Sequence, residues 1–308
     1  MIYKKIYSIL IGIVLLTSIM AASIPVSSQS NTIIVDQDGT KDYQTIQSAI
    51  GNASEGDTIV VNTGEYIENV VIDKLITLQG NDTGSGRPII NGNETGNGLE
   101  LRANGISVKN FKIINSGTSS GIEIQSDSNL IQNNNITQNN DEGIYLHNNR
   151  ENIIENNYIS MSDDYGIHLE YSNNNTLQNN MVANGETANG IYLYSSSDNS
   201  ILDNQVLDND IGIYLKDSSN GNTLENNEIN FNYYDGVHVE GVNNIIRGNH
   251  IQENDGGIYF RKPSSSSTSQ NLVENNDIVL NDGDGIYLNS NSNDNIIQYN
   301  NITNNTGT

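Results

Sequence analysis

The octapeptide Asn129-Leu-Ile-Gln-Asn-Asn134-Asn-Ile136 recurs through the second half of the chain. Each copy has asparagine at its first and sixth positions, an aliphatic residue at its third position, and Ile or Val at its last. Repeats about 23 residues apart indicate a solenoid, in which every unit stacks on the next. The later copies span 152–159, 175–182, 199–206, 222–229, 244–251, 271–278 and 295–302.

A second motif, glycine followed by an apolar residue, any residue and another apolar residue, alternates with the first. Each repeat therefore contains three short apolar alternations, which predict three short strands. Such strands cannot fold alone, but stacking at about 4.8 Å pairs their backbones and builds a continuous core. We predict an all-β parallel β-helix with three strands per coil and about nine to ten coils. The motif glycines are Gly98, Gly121, Gly143, Gly166, Gly190, Gly212, Gly236, Gly257 and Gly285.

The composition excludes several classes of function. The 308 residues include no cysteine, so disulfides and thiolate metal sites are excluded. With 13 basic and 37 acidic residues the net charge is -24, which argues against nucleic acid as a partner. Only 35% of residues are hydrophobic, a fraction that suggests disorder until the repeat is considered.

The N-terminus predicts export. Lys4 and Lys5 precede an apolar run from Ile6 to Ala22, followed by small residues, as in a secretory signal peptide. We predict a signal peptide at 1–28 and a secreted or cell-surface location, periplasmic if the host has an outer membrane. We expect no membrane span after cleavage, since no later segment is long and apolar enough.

The segment 31–80 differs from the repeats in 81–308 and is predicted to form the N-terminal cap and first coils. Ile46, Ala49 and Ile50 fall on one helical face that ends at Gly51. A short amphipathic helix here would cover the open apolar end of the first coil.

The first coils also carry a set of residues that point to a known superfamily. With them, this segment resembles the opening of pectin-lyase-like proteins, which implies a right-handed parallel β-helix. The Asn-rich run that follows is similar to NosD-type periplasmic and surface proteins, common among exported repeat proteins of methanogenic archaea. The residues are Gly39, Tyr43, Thr45-Ile46-Gln47, Ala49-Ile50, Gly56-Asp57-Thr58-Ile59, Gly64-Glu65-Tyr66, Glu68-Asn69-Val70 and Ile76-Thr77-Leu78.

The resemblance leaves the activity open, because this scaffold serves lyases, hydrolases, esterases and binding proteins. Glu142 and Asp163-Asp164 precede a strand as the catalytic aspartates of polygalacturonases do, but that family's following motifs are absent. The leading hypothesis is an exported non-catalytic structural or glycan-contacting module. The alternatives are a polysaccharide lyase or glycoside hydrolase acting on acidic glycans, and a NosD-like periplasmic accessory protein.

The residue between the two apolar positions of the glycine motif should point outward. In seven successive coils it is tyrosine or histidine, so a column of rings about 5 Å apart is predicted. Such a column either binds sugar rings or another protein surface, or stabilises the strand ladder by stacking. This candidate ligand platform comprises Tyr145, His168, Tyr192, Tyr214, His238, Tyr259 and Tyr287.

Acidic residues precede most of these glycines. Asp210, Asp235 and Asp255 are candidate calcium ligands, since calcium prefers carboxylate oxygens; no cofactor is otherwise required. Aspartate is also a common turn residue, so a solvated turn is the competing interpretation. The candidate catalytic residues for cleavage of an acidic glycan are Asp163, Asp164, Asp235, Lys216 and Arg261.

Histidines and asparagines give three further predictions. His168 and His238 are three coils apart and cannot share a metal, so no copper site is visible. The asparagine at the sixth position of the octapeptide, such as Asn134, is predicted to take the left-handed conformation at a turn and to form a stacked amide ladder. Candidate glycosylation sites are Asn52, Asn81, Asn93, Asn135, Asn174, Asn301 and Asn304.

The last repeat, from Asn295 onward, resembles an incomplete coil without a capping helix. Unpaired strand edges invite another chain. The sequence therefore predicts either end-to-end self-association through this coil or a chain that is a fragment of a longer protein.

Overall fold

The computed structural model describes residues 30–185, 187–261, 268–290 and 292–307. Its strands, numbered β1 to β33 along the chain, form three parallel sheets, and each complete coil contributes one strand to each sheet. The predicted signal peptide lies outside the described residues. A three-sided parallel β-helix is confirmed, with about eleven turns rather than nine to ten, because 31–80 contributes more strands than expected.

Sheet A has twelve strands, and each pairs with the equivalent strand of the coils before and after it. They are β1 Thr32–Val35, β2 Thr58–Asn62, β5 Thr77–Asn81, β8 Ser107–Lys109, β11 Leu130–Gln132, β14 Ile153–Glu155, β17 Thr176–Gln178, β20 Ser200–Leu202, β23 Thr223–Glu225, β26 Ile245–Arg247, β29 Leu272–Glu274 and β32 Ile296–Gln298.

Sheet B has eleven strands in the same order. They are β3 Glu65–Ile67, β6 Ile89–Asn91, β9 Lys112–Ile114, β12 Asn135–Asn139, β15 Tyr158–Ser162, β18 Met181–Gly185, β21 Gln205–Asn209, β24 Glu228–Asn230, β27 His250–Gln252, β30 Asp277–Val279 and β33 Asn301–Thr303.

Sheet C has ten strands and carries the candidate site. They are β4 Val70–Ile72, β7 Leu99–Leu101, β10 Ile122–Ile124, β13 Glu142–His147, β16 Tyr165–Glu170, β19 Asn189–Tyr194, β22 Ile213–Lys216, β25 Asp235–Val239, β28 Gly256–Phe260 and β31 Ile286–Leu288.

The core is a set of aliphatic stacks, one residue deep on each side. Ile144 pairs with Ile167, and Leu146 with Leu169, so identical positions in successive coils pack on one another. All four side chains are fully buried. The low hydrophobic content is therefore sufficient, because a slender solenoid needs only a few inward residues per coil.

The predicted capping helix is α1, Ile46–Asn52. Its buried face is Ile46, Ala49 and Ile50, and the Thr45 hydroxyl caps the N-terminus by accepting from the Ser48 amide. The Glu68 carboxylate accepts from the amides of Ile46 and Gln47 at 3.0 and 2.9 Å, where negative charge suits the helix dipole. Packing on β1, β2 and β4, the helix covers the N-terminal end of the core.

Buried asparagines form a ladder at the corner between sheets A and B, here named the A–B ladder. Each side-chain oxygen accepts from the backbone amide of the preceding ladder residue at 2.9–3.0 Å and from its carboxamide at 2.9–3.2 Å. The ladder residues are Asn134, Asn157, Asn180, Asn204, Asn227, Asn249, Asn276 and Asn300.

The conformational reason predicted for these asparagines is wrong. The left-handed backbone occurs one residue earlier, for example at Asn133 with φ of 56° and Asn179 with φ of 53°. The ladder residue itself is asparagine because its carboxamide has both a donor and an acceptor for neighbouring coils. Similar ladders occur at the other two corners, as in the pairs Asn129 with Asn152 and Asn209 with Asn232.

The motif positions at the start of the sheet C strands must be glycine, because there is no room for a Cβ atom. At Gly190, a Cβ would lie 2.5 Å from Val206 Cγ1 and 2.7 Å from the carbonyl oxygen of Gly212. The other motif glycines up to Gly257 likewise face an Ile or Val methyl group and the carbonyl oxygen of the next motif glycine, and Gly285 faces Ile302 and Asn305. No larger residue fits where sheets B and C approach so closely.

Candidate functional site

The outer face of sheet C carries the predicted rings in one continuous row, here named the aromatic column. Strand pairing places Tyr145, His168, Tyr192, Tyr214, His238, Tyr259 and Tyr287 side by side in successive coils. Centroids of neighbouring rings are 4.4 to 5.4 Å apart. Every neighbouring pair is therefore in ring contact.

The middle of the aromatic column is buried, although it points outward. Tyr192, Tyr214 and His238 are 6%, 7% and 5% exposed, whereas Tyr287 is 46% exposed. Rings from the coils on either side cover each member, and Tyr165 stacks on Tyr192 at 4.5 Å. The prediction that the whole column faces solvent is therefore wrong for its middle.

Between Tyr145 and His168 the column is closed by internal hydrogen bonds. The Tyr145 hydroxyl donates to the Glu170 carboxylate, which also lies 3.0 Å from His147 Nδ1. His168 Nδ1 lies 3.1 Å from Glu142 Oε1. The Tyr145 hydroxyl, both carboxylates and the two Nδ1 atoms already have partners, so this stretch is a structural network, although His168 Nε2 is buried and unpaired among the described residues.

The consecutive carboxyl groups of Asp141 and Glu142 have pKa values shifted in opposite directions. Burial and the charges of Glu142 and Asp164 raise the pKa of Asp141 to about 7. Burial alone would raise the pKa of Glu142, but hydrogen bonds from His168 and Ser120 lower it below its usual range. The catalytic candidates Asp163 and Asp164 are exposed in the preceding turn.

Towards the C-terminal coils the same face opens into a cleft of about 620 Å³, here named the acidic cleft. Its lining combines rings and carboxylates contributed by four successive coils. The polar and aromatic lining residues are Asp210, Tyr234, Asp235, His238, Asp255, Tyr259, Asp284 and Tyr287.

His238 is the one imidazole in the lining of the acidic cleft. Its Nδ1 lies 3.1 Å from Asp235 Oδ2, and its side chain is 7% exposed. The carboxylate orients Nδ1 as the donor, which leaves Nε2 of the neutral ring as an acceptor. Nε2 is buried and has no hydrogen-bond partner among the described residues.

A smaller depression of about 410 Å³, here named the side lobe, adjoins the acidic cleft. Tyr234 and Asp255 line both spaces and form the ridge between them. Tyr233 and Tyr234 meet edge to face at 4.8 Å, and Tyr233 is 71% exposed. The two spaces therefore form one bent groove with an aromatic ridge.

Lys216 and Arg261 lie on the opposite flank of the aromatic column from Asp235. Lys216 Nζ is 5.9 Å from the ring centroids of Tyr192 and Tyr214. Arg261 Nη1 is 3.6 Å from Glu240 Oε1, which also accepts from the Tyr214 hydroxyl at 2.7 Å. Asp235 begins β25 whereas Lys216 ends β22, so the three catalytic candidates do not converge.

The proposed calcium ligands Asp210, Asp235 and Asp255 share the acidic cleft. Across the described ranges, however, no three or more histidine, cysteine, aspartate or glutamate residues are grouped closely enough to hold a metal ion. The carboxylates therefore present separate acceptors along the groove.

The predicted glycosylation sites are mostly exposed. Asn135 is the exception, because it is half-buried at the start of β12. The exposed sites are Asn52, Asn81, Asn93, Asn174, Asn301 and Asn304.

Three contributors to this face were missed from the sequence. Tyr165 precedes Gly166 directly, Tyr234 precedes Gly236 by two residues, and Glu240 follows Gly236 by four. These slots flank the column in every coil, so comparing them coil by coil could have identified the residues. Their side-chain directions could not be assigned, since the slots fall at or beyond strand ends.

Known structures share this fold. ORF18 of Geobacillus virus E2 aligns with 90% of this chain and 60% of its own, at 15% identity and a TM-score of 0.64. The A-module of Azotobacter vinelandii mannuronan C-5 epimerase aligns over 85% and 92%, at 18% identity and a TM-score of 0.62. A GH136 lacto-N-biosidase from Eubacterium ramulus aligns over 89% and 68%, at 13% identity and a TM-score of 0.57. The chain thus spans about three fifths of the viral protein's length.

No curated protein matches this chain in sequence. Two family profiles do match: one described as right handed beta helix region over residues 210–308, and one described as periplasmic copper-binding protein (NosD) over residues 50–235. Since the second profile covers more than half of the chain, the protein belongs to the NosD family, and its solenoid is a right-handed parallel β-helix.

Proposed function

We propose that this protein is an exported glycan-binding module whose ligand occupies the acidic cleft of sheet C. The observation that carries the proposal is the lining itself, where tyrosine rings alternate with carboxylates in a space of about 620 Å³. Sugar rings offer apolar faces that stack on tyrosine and hydroxyl donors that bond to carboxylates. Binding without catalysis is the leading form of the proposal.

The exposed end of the aromatic column supports this position for the site. Tyr287, the last member of the column, is 46% exposed and Tyr234, beside the column, is 48% exposed, so a ligand can reach their faces. The buried rings of Tyr192 and Tyr214 are already covered by neighbours and serve the stability of the stack. A binding role for the column is therefore confined to its C-terminal coils.

Structural neighbours are consistent with a saccharide ligand. One is named for mannuronan epimerisation and another for lacto-N-biose release. At their low identity they support the fold alone, and the choice of a saccharide rests on the cleft.

Glycoside hydrolysis is the second candidate, favoured by two carboxyl groups in one cleft with different surroundings. Burial raises the pKa of Asp210, as suits a general acid, while Asp235 is held against His238. A lyase acting on uronic acids is less well supported. Of the residues that the structure describes, no lysine or arginine lines the acidic cleft to neutralise the substrate carboxylate.

The copper implied by the family description does not fit the described residues. The chain has no cysteine, and the imidazoles are each beside a different carboxylate, as in His250 with Asp277 at 2.9 Å. Within the described part of the chain no cluster suited to a metal ion occurs. We therefore assign no copper chemistry to these residues.

Export agrees with the family description, which places its members in the periplasm. Among the residues that the structure describes, no helix is long and apolar enough to cross a bilayer. A polysaccharide or cell-surface glycan is the partner that we propose. We keep the NosD-like accessory role and self-association through the last coil as further hypotheses.

Isothermal titration calorimetry with neutral and uronic-acid oligosaccharides, with and without Ca²⁺, tests the proposal. We expect a neutral oligosaccharide to bind and Tyr287→Ala to weaken binding about tenfold, since a ring contact contributes about 1 kcal/mol beyond its buried area. Tyr299→Ala is the control, because Tyr299 is 78% exposed and outside the cleft.

Equal binding by the wild type and Tyr287→Ala, or no binding by any oligosaccharide, contradicts this assignment. The same samples are assayed for new reducing ends. Release that is lost in Asp210→Asn would favour hydrolysis over simple binding. Dependence of binding on Ca²⁺ would restore the calcium hypothesis for Asp210, Asp235 and Asp255.

A further inference from the structure

We infer that the glycan bound by the acidic cleft carries free amino groups, so that the ligand is a positively charged amino-sugar oligomer that extends into the side lobe. This inference rests on the proposed function and names the chemical class of its ligand.

The charge of the groove is the first reason. Asp210, Asp255 and Asp284 have neither an ion pair nor a side-chain hydrogen bond among the described residues, although they line the cleft. The side lobe adds Glu253 and Asp282, and among the described residues neither space has a lysine or arginine in its lining. Several carboxylates held near one another without counter-charge favour a cation as their occupant.

His238 is an independent second reason. Its buried Nε2 has no partner among the described residues, and the contact of Nδ1 with Asp235 makes Nε2 an acceptor. His168 Nε2 is unpaired in the same way, but only His238 lies in the lining of the acidic cleft. Leaving a buried acceptor unpaired is unfavourable unless a ligand or water donates to it. A protonated amine, with three donors, can serve both the imidazole and the carboxylates.

The spacing of the acceptors distinguishes an oligomer from a metal ion. Within the described residues no acidic cluster is tight enough for a single cation. The acceptors are instead distributed over four coils, which span about 15 Å of the solenoid axis. An extended ligand with a donor on each sugar unit meets them one after another, as a point charge cannot.

Tyr234 and Asp255 make the groove continuous. Both line the cleft and the side lobe, so one sugar unit on either side of this ridge would share the Tyr234 ring and the Asp255 carboxylate. Tyr233 extends the aromatic surface on the far side of the ridge. Asp255 is consequently the carboxylate whose removal affects both parts of the ligand.

The test compares three probes by titration calorimetry at a pH at which amines are protonated. They are a β-1,4-linked glucosamine tetramer, its fully N-acetylated counterpart, and an oligolysine of equal charge. We expect the free-amine tetramer to bind about tenfold more tightly than the acetylated one, with a preference that weakens as salt is raised.

Asp255→Asn should reduce that preference severalfold while the fold is retained, because Asp255 is exposed. The matched control is Asp203→Asn, an exposed aspartate at another corner, which should leave the preference unchanged.

Each remaining outcome counts against at least one of the two proposals. If both tetramers bind equally, the inference about charge fails and the proposed function stands. If neither tetramer nor any neutral oligosaccharide binds, both fail. If oligolysine binds as tightly as the free-amine tetramer, the groove recognises charge alone and the amino-sugar assignment is wrong.

Discussion

The A–B ladder and the aromatic column are both one-residue columns that run along the solenoid, yet they differ in how uniform they are. The ladder is asparagine in eight consecutive coils, each amide bonded to the next. The column changes between tyrosine and histidine, is closed near Tyr145, and opens at Tyr259 and Tyr287. The ladder position is always asparagine because the coil geometry requires an amide there. The column position varies because its residues have different roles, structural near Tyr145 and accessible to a ligand near Tyr287.

The largest expected effect tests the ladder. Asn180→Leu removes the acceptor for the backbone and side-chain donors of Asn157, which are 3.0 and 3.1 Å away and buried. Leaving these donors unpaired should lower the free energy of unfolding by about 3 kcal/mol or more. Urea denaturation measures it, with the exposed neighbouring amide Gln205→Leu as the control, expected within about 0.5 kcal/mol of wild type.

If Asn180→Leu is as stable as Gln205→Leu, the ladder amides are not what the coil requires. The distinction between the two columns would then fail. Glycan binding should be unchanged in both variants, since neither residue lines the acidic cleft.

A smaller effect is expected in the buried middle of the aromatic column. Tyr214→Phe removes the hydroxyl that donates to Glu240, a carboxylate only 4% exposed. We expect a loss of about 1 to 2 kcal/mol in unfolding free energy, since a charged acceptor loses a buried partner. Thermal denaturation measures it, and Tyr299→Phe at an exposed position should be neutral.

Unchanged stability of Tyr214→Phe would show that the middle of the column is not structural. A loss of glycan binding without a loss of stability would extend the ligand site beyond the C-terminal coils. Either result would change which rings of the column are assigned to stability and which to ligand binding.

The smallest effect concerns pH. Because burial and neighbouring charges raise the pKa of Asp141 from 3.8 to about 7, the folded state retains a proton that the unfolded chain releases. This contribution to stability is fully present below about pH 4 and is lost as pH rises to about 7. Asp141→Asn should therefore stabilise the protein more at about pH 8 than at about pH 5, by about 1 kcal/mol after solvent screening.

Melting temperatures of wild type and Asp141→Asn at both pH values give the comparison. Asp203→Asn, at an exposed position, should show no such dependence. Parallel pH profiles for Asp141→Asn and wild type would contradict the raised pKa.

The repeat, the three strands per coil and the capping helix could be predicted from the sequence, because each produces a periodic pattern of apolar residues. The register of the aromatic column also followed from the glycine motif. Its burial did not, because coverage depends on rings such as Tyr165 from neighbouring slots.

The shape of the acidic cleft could not be predicted from the sequence either. Asp210, Asp235 and Asp255 were selected from the sequence, but Tyr234 was not, although it separates the two halves of the groove. Turn residues do not obey the alternation that assigns strand residues to a face. Likewise, asparagine was expected at the left-handed position, which the structure places one residue earlier.

In-register stacking also makes the solenoid a spacer of adjustable length. The helix α1 contacts the first coils, while the acidic cleft is formed by the coils of β22, β25, β28 and β31. Removing one whole repeat between them would move the cleft by about 4.8 Å and leave its lining intact. The number of repeats therefore sets how far the groove stands from whatever holds the N-terminal end.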